Sequence, residues 1–195
     1  YFHKAPDARA FHEETVRKLS RLHSYDCLRA NKAMSAWGVE ARVPFLDREF
    51  LDVAMSINPK DKLITPGKME KQILREAFSD MLPEEIVWRQ KEQFSDGVGY
   101  SWIDGIRDYA KTRVSEKQLK HAASRFPFNT PQTEEAYLFR TLFENHFPSA
   151  SAAECIPGGQ SVACSTPEAV LWDSSLQQMN DPSGRAVLSV HREAY

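Results

Sequence analysis

No P-loop, no GxGxxG, no HExxH and no GxSxG occurs in the 195 residues. A self-contained phosphate loop, a dinucleotide turn, a zincin helix and a nucleophile elbow are therefore all missing. Cysteine is scarce: Cys27, Cys155 and Cys164 are odd in number and widely spaced. With no CxxC or metal-ligand spacing, the sequence predicts no metal site, free thiols, and a reducing, cytoplasmic compartment. No apolar run is long enough to span a membrane, and no signal peptide is visible. No internal repeat occurs, and strand-type alternation is missing, so this stretch alone cannot build a complete parallel sheet. Neither sign of charge dominates: 25 Lys and Arg against 27 Asp and Glu leave a net charge of −2 and a pI near 6.3. That balance argues against a polyanion-binding surface and against nucleic acid as a partner.

What is present is ordinary for a globular domain, with 42% hydrophobic and 27% charged residues. The length suits one domain. The opening YFHKAP reads as the interior of a larger protein. From Asp7 to about Ser35 the pattern predicts one long helix, with Phe11, Val16, Leu19, Leu22 and Leu28 as its apolar stripe. Ala30, Ala33 and Ala36 make its second half small. Asp26 and Arg29 share a helix face. They read either as an exposed ion pair or as a pair lining a polar pocket. Gly38 ends the helix. EARVPFLD, residues 40–47, is extended around Pro44, with Glu40 and Arg42 flanking its apolar centre.

A short helix is predicted from Asp47 to Ile57, stopped by Asn58-Pro59. A further helix is expected over Lys68 to Met81, with Ile73, Leu74, Ala77, Phe78 and Met81 facing a core. Ser101 to Val114 reads as helix with Trp102, Ile103, Ile106 and Tyr109 at helical spacing. Ser115 and Gln118 form a candidate capping box. Thr133 caps a helix through Phe147, with Ala136, Tyr137, Phe139, Leu142, Phe143 and Phe147 as core. Two regions follow: an ordered body, residues 1–147, and an irregular, mobile tail, residues 148–195, in which a short helix around Glu168 to Met179 can dock.

Between the helices lies VWRQKEQFSDGVGYSW, residues 87–102. It packs Arg89, Lys91, Glu92 and Asp96 among Trp88, Phe94 and Tyr100, with Gly97 and Gly99 as joints. It has no helical or alternating period and reads as a loop. A lysine there offers a compact ammonium suited to phosphate oxygens. On composition alone it reads as a solvated turn.

At Glu40-Ala-Arg-Val-Pro-Phe-Leu-Asp47 and Arg89-Gln-Lys-Glu-Gln-Phe-Ser-Asp-Gly97 the chain resembles the glutamine-dependent asparagine synthetases, the bacterial type in particular. DCLRANKAMSAWGVE, KMEKQILREAF and the terminal AAECIPGGQSVACS and DPSGRAV belong to the same resemblance. It implies a mainly α piece: the distal helical part of an α/β ATP-pyrophosphatase synthetase domain. That domain forms asparagine from aspartate, ATP and ammonia through β-aspartyl-AMP, with Mg²⁺ neutralising phosphates. The implied partners are an N-terminal glutaminase domain and the nucleotide-binding half, carrying SGGxDS and SGEGSDE motifs that this sequence lacks; a homodimer would suit the full-length form. By the same resemblance Lys91 is the catalytic ammonium beside the α-phosphate and departing pyrophosphate. Asp26 and Arg29 bind aspartate or pyrophosphate, with Asp26 ordering Lys91 or the ammonia. Glu40 lies near the exit of an ammonia tunnel, and Ala30 and Val43 line its wall. The alternatives are a β-lactam-forming relative, which would carry a Tyr–Glu dyad where this helix has Asp26, and a non-catalytic helical packing or regulatory module.

Overall fold

The computed structural model describes residues 2–89, 91, 100–158 and 165–179. They fall into two compact units: one combines the described residues up to 91 with 165–179, the other comprises 100–158. Secondary structure is almost entirely helical, and no strand occurs among the described residues. An isolated antiparallel bridge joins Thr65 and Lys68.

The first unit starts with α1 (Ala8–Arg21), capped by the Asp7 carboxylate, which accepts from the Ala10 amide at 2.8 Å. Next come α2 (Asp26–Ser35), α3 (Arg48–Ser56), α4 (Pro59–Lys62), α5 (Gln72–Ala77) and α6 (Glu84–Val87). Asp47 and Asn58 cap α3 and α4 with their side chains. The Lys62 ammonium reaches back to the Ala54 carbonyl at 2.8 Å near the end of α3. Burial pushes it below its ordinary value.

Residues 165–179 close this unit with α12 (Pro167–Trp172) and α13 (Ser174–Gln177), numbered in chain order after the helices of the second unit. Phe2 stacks edge-on against both Phe11 and Trp172, while Ala169 and Leu176 are fully buried. Charge ties the same parts together. Glu14 is only 3% exposed, and Arg17 clamps it with two hydrogen bonds of 2.8 and 2.7 Å while also pairing with Glu168. A buried carboxylate needs such a partner. Near it, His3 stands 3.5 Å from the buried Asp173. Asp173 also caps α13 through the Ser175 amide at 3.0 Å and hydroxyl at 2.6 Å.

The second unit holds α7 (Tyr100–Arg113), α8 (Glu116–Lys120), α9 (Ala122–Arg125), α10 (Glu134–His146) and α11 (Ala150–Glu154). Helix α7 packs on α10. Val114, Ala122, Phe126 and Tyr137 form the core, flanked by Leu119 and Leu138. The Phe126 ring is inaccessible to solvent and meets Tyr137 edge-on at 5.1 Å; burying it contributes about 1.5–3 kcal/mol. The Ser115–Gln118 capping box and the Thr133 cap form as the sequence predicts. A Cβ at Gly158 would lie 1.9 Å from the end of the Asn129 side chain, which would have to move aside.

Three expectations are corrected. The single helix over 7–35 is broken: a 3₁₀ turn at Leu22–Ser24 and a non-helical Tyr25, φ −123° and ψ −98°, separate α1 from α2. The helix over 68–81 shrinks to α5, because the turn closing from Lys68 to Thr65 and a left-handed Lys71, φ 58°, delay its start. Finally, part of the predicted core lies at the surface: Ile73, Phe78, Met81, Phe139, Leu142 and Phe147 are exposed, as are Val16, Trp102 and Tyr109 at their helical spacings. Periodicity marks an apolar face but not whether anything covers it, and units this small cover little. The glycine-jointed part of the loop, 92–99, and residues 159–164 and 180–195 lie outside the described residues.

Burial opposes ionisation of Asp173, but hydrogen bonds from Ser175, and then the nearby charges of His3 and Lys4, outweigh it and hold the carboxyl below its usual 3.8. A depressed folded-state value contributes stability above the unfolded-state value, lost as pH falls through the folded one. Asp173→Asn keeps a capping oxygen but removes the charge. Urea unfolding followed by circular dichroism should show the variant less stable at pH 7, with the gap closing below pH 3.8; an equal gap at both ends would remove the charge from the account.

Candidate functional site

The break at Tyr25 decides how the first charged pair is presented. Helix α2 restarts at Asp26, whose carboxylate sits in the first turn, where the positive end of the helix dipole favours it. Arg29, one turn on, donates to Asp26 in a short contact. Both side chains stay open, at 65% and 73% exposure for Asp26 and Arg29. Ala30, next on the helix, is half-buried. The pair therefore projects two opposite charges at the head of a small-residue helix without helping to fill a core.

At the other end of α2 the amides of Gly38 and Val39 return to Ser35 and Met34, both at 3.1 Å. Gly38 takes φ 70°, a left-handed turn that suits glycine. The chain then runs through Glu40 and Arg42, joined at 3.2 Å in the open. Val43 is exposed and leads into a 3₁₀ turn at Pro44–Leu46. Phe45 packs edge-on against Phe50 at 5.3 Å, and the Lys71 ammonium stands 5.9 Å from its ring. Trp37, 85% exposed, with Val39, Val43 and Phe45, makes an uncovered apolar strip along 37–45.

The sequence reading overlooked Arg75. Its guanidinium is nearly buried, as is Glu70, and it gathers four acceptors. Nη2 donates to the Glu70 carboxylate at 2.6 Å and Nε to the Glu70 carbonyl at 3.0 Å. Nη1 donates to the Val87 carbonyl and to the Arg89 carbonyl, the latter at 3.0 Å. Five donors in a fixed fork let arginine hold separate backbone strands together. Those strands are the approach to α5 and the exit from α6, and Lys91 follows two residues later, half-buried in coil. The available signal was an arginine inside KMEKQILREAF that falls among its core-facing positions.

Asp26, Arg29, Ala30, Glu40, Val43 and Lys91 thus all belong to the first unit. Asp26 joins Arg29, and Glu40 joins Arg42. Phe94, Asp96, Gly97 and Gly99 lie outside the described residues. Among the described residues no cluster of His, Cys, Asp or Glu could hold a metal ion, and no helix is long and apolar enough to cross a membrane. Cys27 and Cys155 are free thiols.

Residues 3–178 match the family described as asparagine synthase. The whole chain is 66% identical to asparagine synthetase B (glutamine-hydrolyzing) of Escherichia coli (strain K12), of which it covers 35%. It is 61% identical to asparagine synthetase (glutamine-hydrolyzing) 3 of Arabidopsis thaliana, again covering 35%, and 58% identical to the Asparagus officinalis asparagine synthetase (glutamine-hydrolyzing), covering 34%. The chain spans about a third of the length of these curated relatives.

The two charged assemblies should respond differently to substitution. Asp26→Asn is expected to change unfolding free energy by under about 0.5 kcal/mol, because an exposed pair contributes little. Arg75→Met should cost about 3 kcal/mol, since Glu70 and two carbonyls are left without their donor. Chemical denaturation measures both, and hydrogen exchange should rise around residues 87–91 in the Arg75 variant alone. A large loss in Asp26→Asn would make that pair a structural tie.

Proposed function

The chain belongs to the asparagine synthase family, and we propose that it is the distal helical part of a synthetase domain that makes asparagine. The finer fold placement we propose is the α/β ATP-pyrophosphatase type. In this reading the aspartate β-carboxylate attacks the α-phosphorus of ATP, releasing pyrophosphate and forming β-aspartyl-AMP. Glutamine-derived ammonia then attacks the acyl carbon, and AMP departs with the asparagine carbonyl restored. We assign Lys91 to the first step. An ammonium fixed beside the α-phosphate and the departing pyrophosphate stabilises charge that grows in the transition state.

The observation that carries this reading is the Arg75 clamp two residues before Lys91. A preorganised cation is worth more than a mobile one, because it costs no reorganisation as the reaction proceeds. The clamp anchors the backbone from which Lys91 extends. Asp26 and Arg29 suit a substrate pair: exposed, opposite in sign, and unneeded by a core. Arg29 would bind aspartate or pyrophosphate, and Asp26 would orient Lys91 or the incoming ammonia. Glu40 is assigned to the tunnel exit, and Ala30 and Val43 to its wall, where small apolar groups do not hold ammonia.

The strip formed by Trp37, Val39, Val43 and Phe45 is the surface we assign to further polypeptide of the full-length enzyme, the nucleotide-binding half and glutaminase domain. The same reading includes a homodimer and a reducing, cytoplasmic setting, which suits the free Cys27 and Cys155. Mg²⁺ would accompany ATP in the family's chemistry. The described residues do not form a site for it, so no step here is routed through the metal.

In the full-length enzyme, Lys91→Ala should lower aspartate-dependent pyrophosphate release by about 10²–10³-fold while leaving glutamine hydrolysis intact. Normal pyrophosphate release would remove Lys91 from the chemistry. The 195-residue chain alone, given ATP, Mg²⁺, aspartate and ammonia, is expected to yield no asparagine.

A further inference from the structure

The overall charge of −2 conceals a local basic row in the second unit. Lys117 on α8, His121 at the turn between the two helices, φ −100° and ψ 16°, and Arg125 on α9 meet at one place although the helix breaks at His121. With Gln118, Ser124 and Tyr137 they line an open, shallow cleft of about 370 Å³. No acidic residue lines it. Glu116 sits nearby in sequence, in the first turn of α8, but is not part of the wall. Lys117 and His121 form no ion pair among the described residues.

Arg125 is the most organised of the three. Its guanidinium lies 4.9 Å from the Phe126 ring and 5.6 Å from the Tyr137 ring, and Nη1 reaches the Tyr137 hydroxyl at 3.2 Å. The aromatic core fixes its direction, yet no carboxylate neutralises its charge. Two further donors face no competing acceptor. Gln118 spends its carbonyl oxygen on the Ser115 amide and hydroxyl, both at 2.8 Å, leaving its amide NH₂ unengaged among the described residues. The Ser124 hydroxyl likewise has no acceptor among them.

We propose that this cleft binds a small oligophosphate, of the size of pyrophosphate or tripolyphosphate, at a site separate from the synthetase chemistry. A planar guanidinium and an ammonium suit phosphate oxygens by bidentate and point-charge contact respectively. The cleft is open and its lining surface is more apolar than polar, so the charged ends of Lys117 and Arg125 supply the affinity for an anion. A long polyanion meets the acidic balance of the whole surface, whereas a short one senses only charges within the Debye length of about 8 Å. Binding is consequently electrostatic, with a dissociation constant on the order of 1 mM at low salt, and falls as salt rises.

The test is an NMR titration of the ¹⁵N-labelled 195-residue chain with sodium tripolyphosphate at constant ionic strength. Saturable shifts are expected at 117–125 and at Tyr137, including the His121 imidazole, and they should persist in Lys91→Ala. That persistence separates this cleft from the assignment of Lys91. Lys117→Gln/Arg125→Gln should weaken the response about tenfold or more. Lys117→Gln/His121→Gln, confined to exposed side chains, repeats the test without touching the Phe126 cluster. Equal shifts with chloride alone, an unchanged response in both double variants, or saturable binding of a single-stranded oligonucleotide without binding of tripolyphosphate would each overturn the proposal.

Discussion

One guanidinium organises the first unit around the proposed chemistry. Arg75 holds the Glu70 carboxylate, the Glu70 carbonyl and the carbonyls of Val87 and Arg89. Val87 is the last residue of α6, where helix geometry leaves carbonyls without an internal donor, and Arg75 supplies one. A lysine could not replace it, since three donors on one nitrogen cannot reach acceptors spread over two stretches of backbone. Helix α5 need only be long enough to carry this residue, and a six-residue helix does so.

Charge also substitutes for apolar burial elsewhere. In the first unit the N-terminal stretch meets residues 165–179 through Phe2 and Trp172, but also through Glu14–Arg17–Glu168 and His3–Asp173. The buried carboxylates of Glu14 and Asp173 hold because each receives a cation or several hydrogen bonds, and removal of a partner would leave an uncompensated charge. In the second unit the aromatic core performs two tasks. Phe126 and Tyr137 fill the interior, and their faces align Arg125 and Arg140 above them. A pattern chosen for packing thus leaves a cation stacked on aromatic rings at the surface.

Helix signals of short range were legible. The Ser115–Gln118 box, the Thr133 cap, the stop at Asn58-Pro59 and the left-handed Gly38 all follow from bonds within a few residues. Tyr25 and Lys71 were not legible, because their departures from helix answer to no proline or glycine. The family resemblance was carried largely by EARVPFLD, which the residues alone give as an extended stretch, and by the segment around Lys91, which composition alone gives as a turn.

The sequence by itself determined that the described residues are mainly helical, where several of the longer helices begin, and to which family the chain belongs, since local hydrogen bonding and motif identity need no third dimension. Only the tertiary structure decided which apolar faces are covered, that Arg75 rather than a nearer residue anchors the approach to Lys91, and that Asp26 and Arg29 pair in the open. Those outcomes depend on what lies across from each side chain, and that is set by segments far away along the chain.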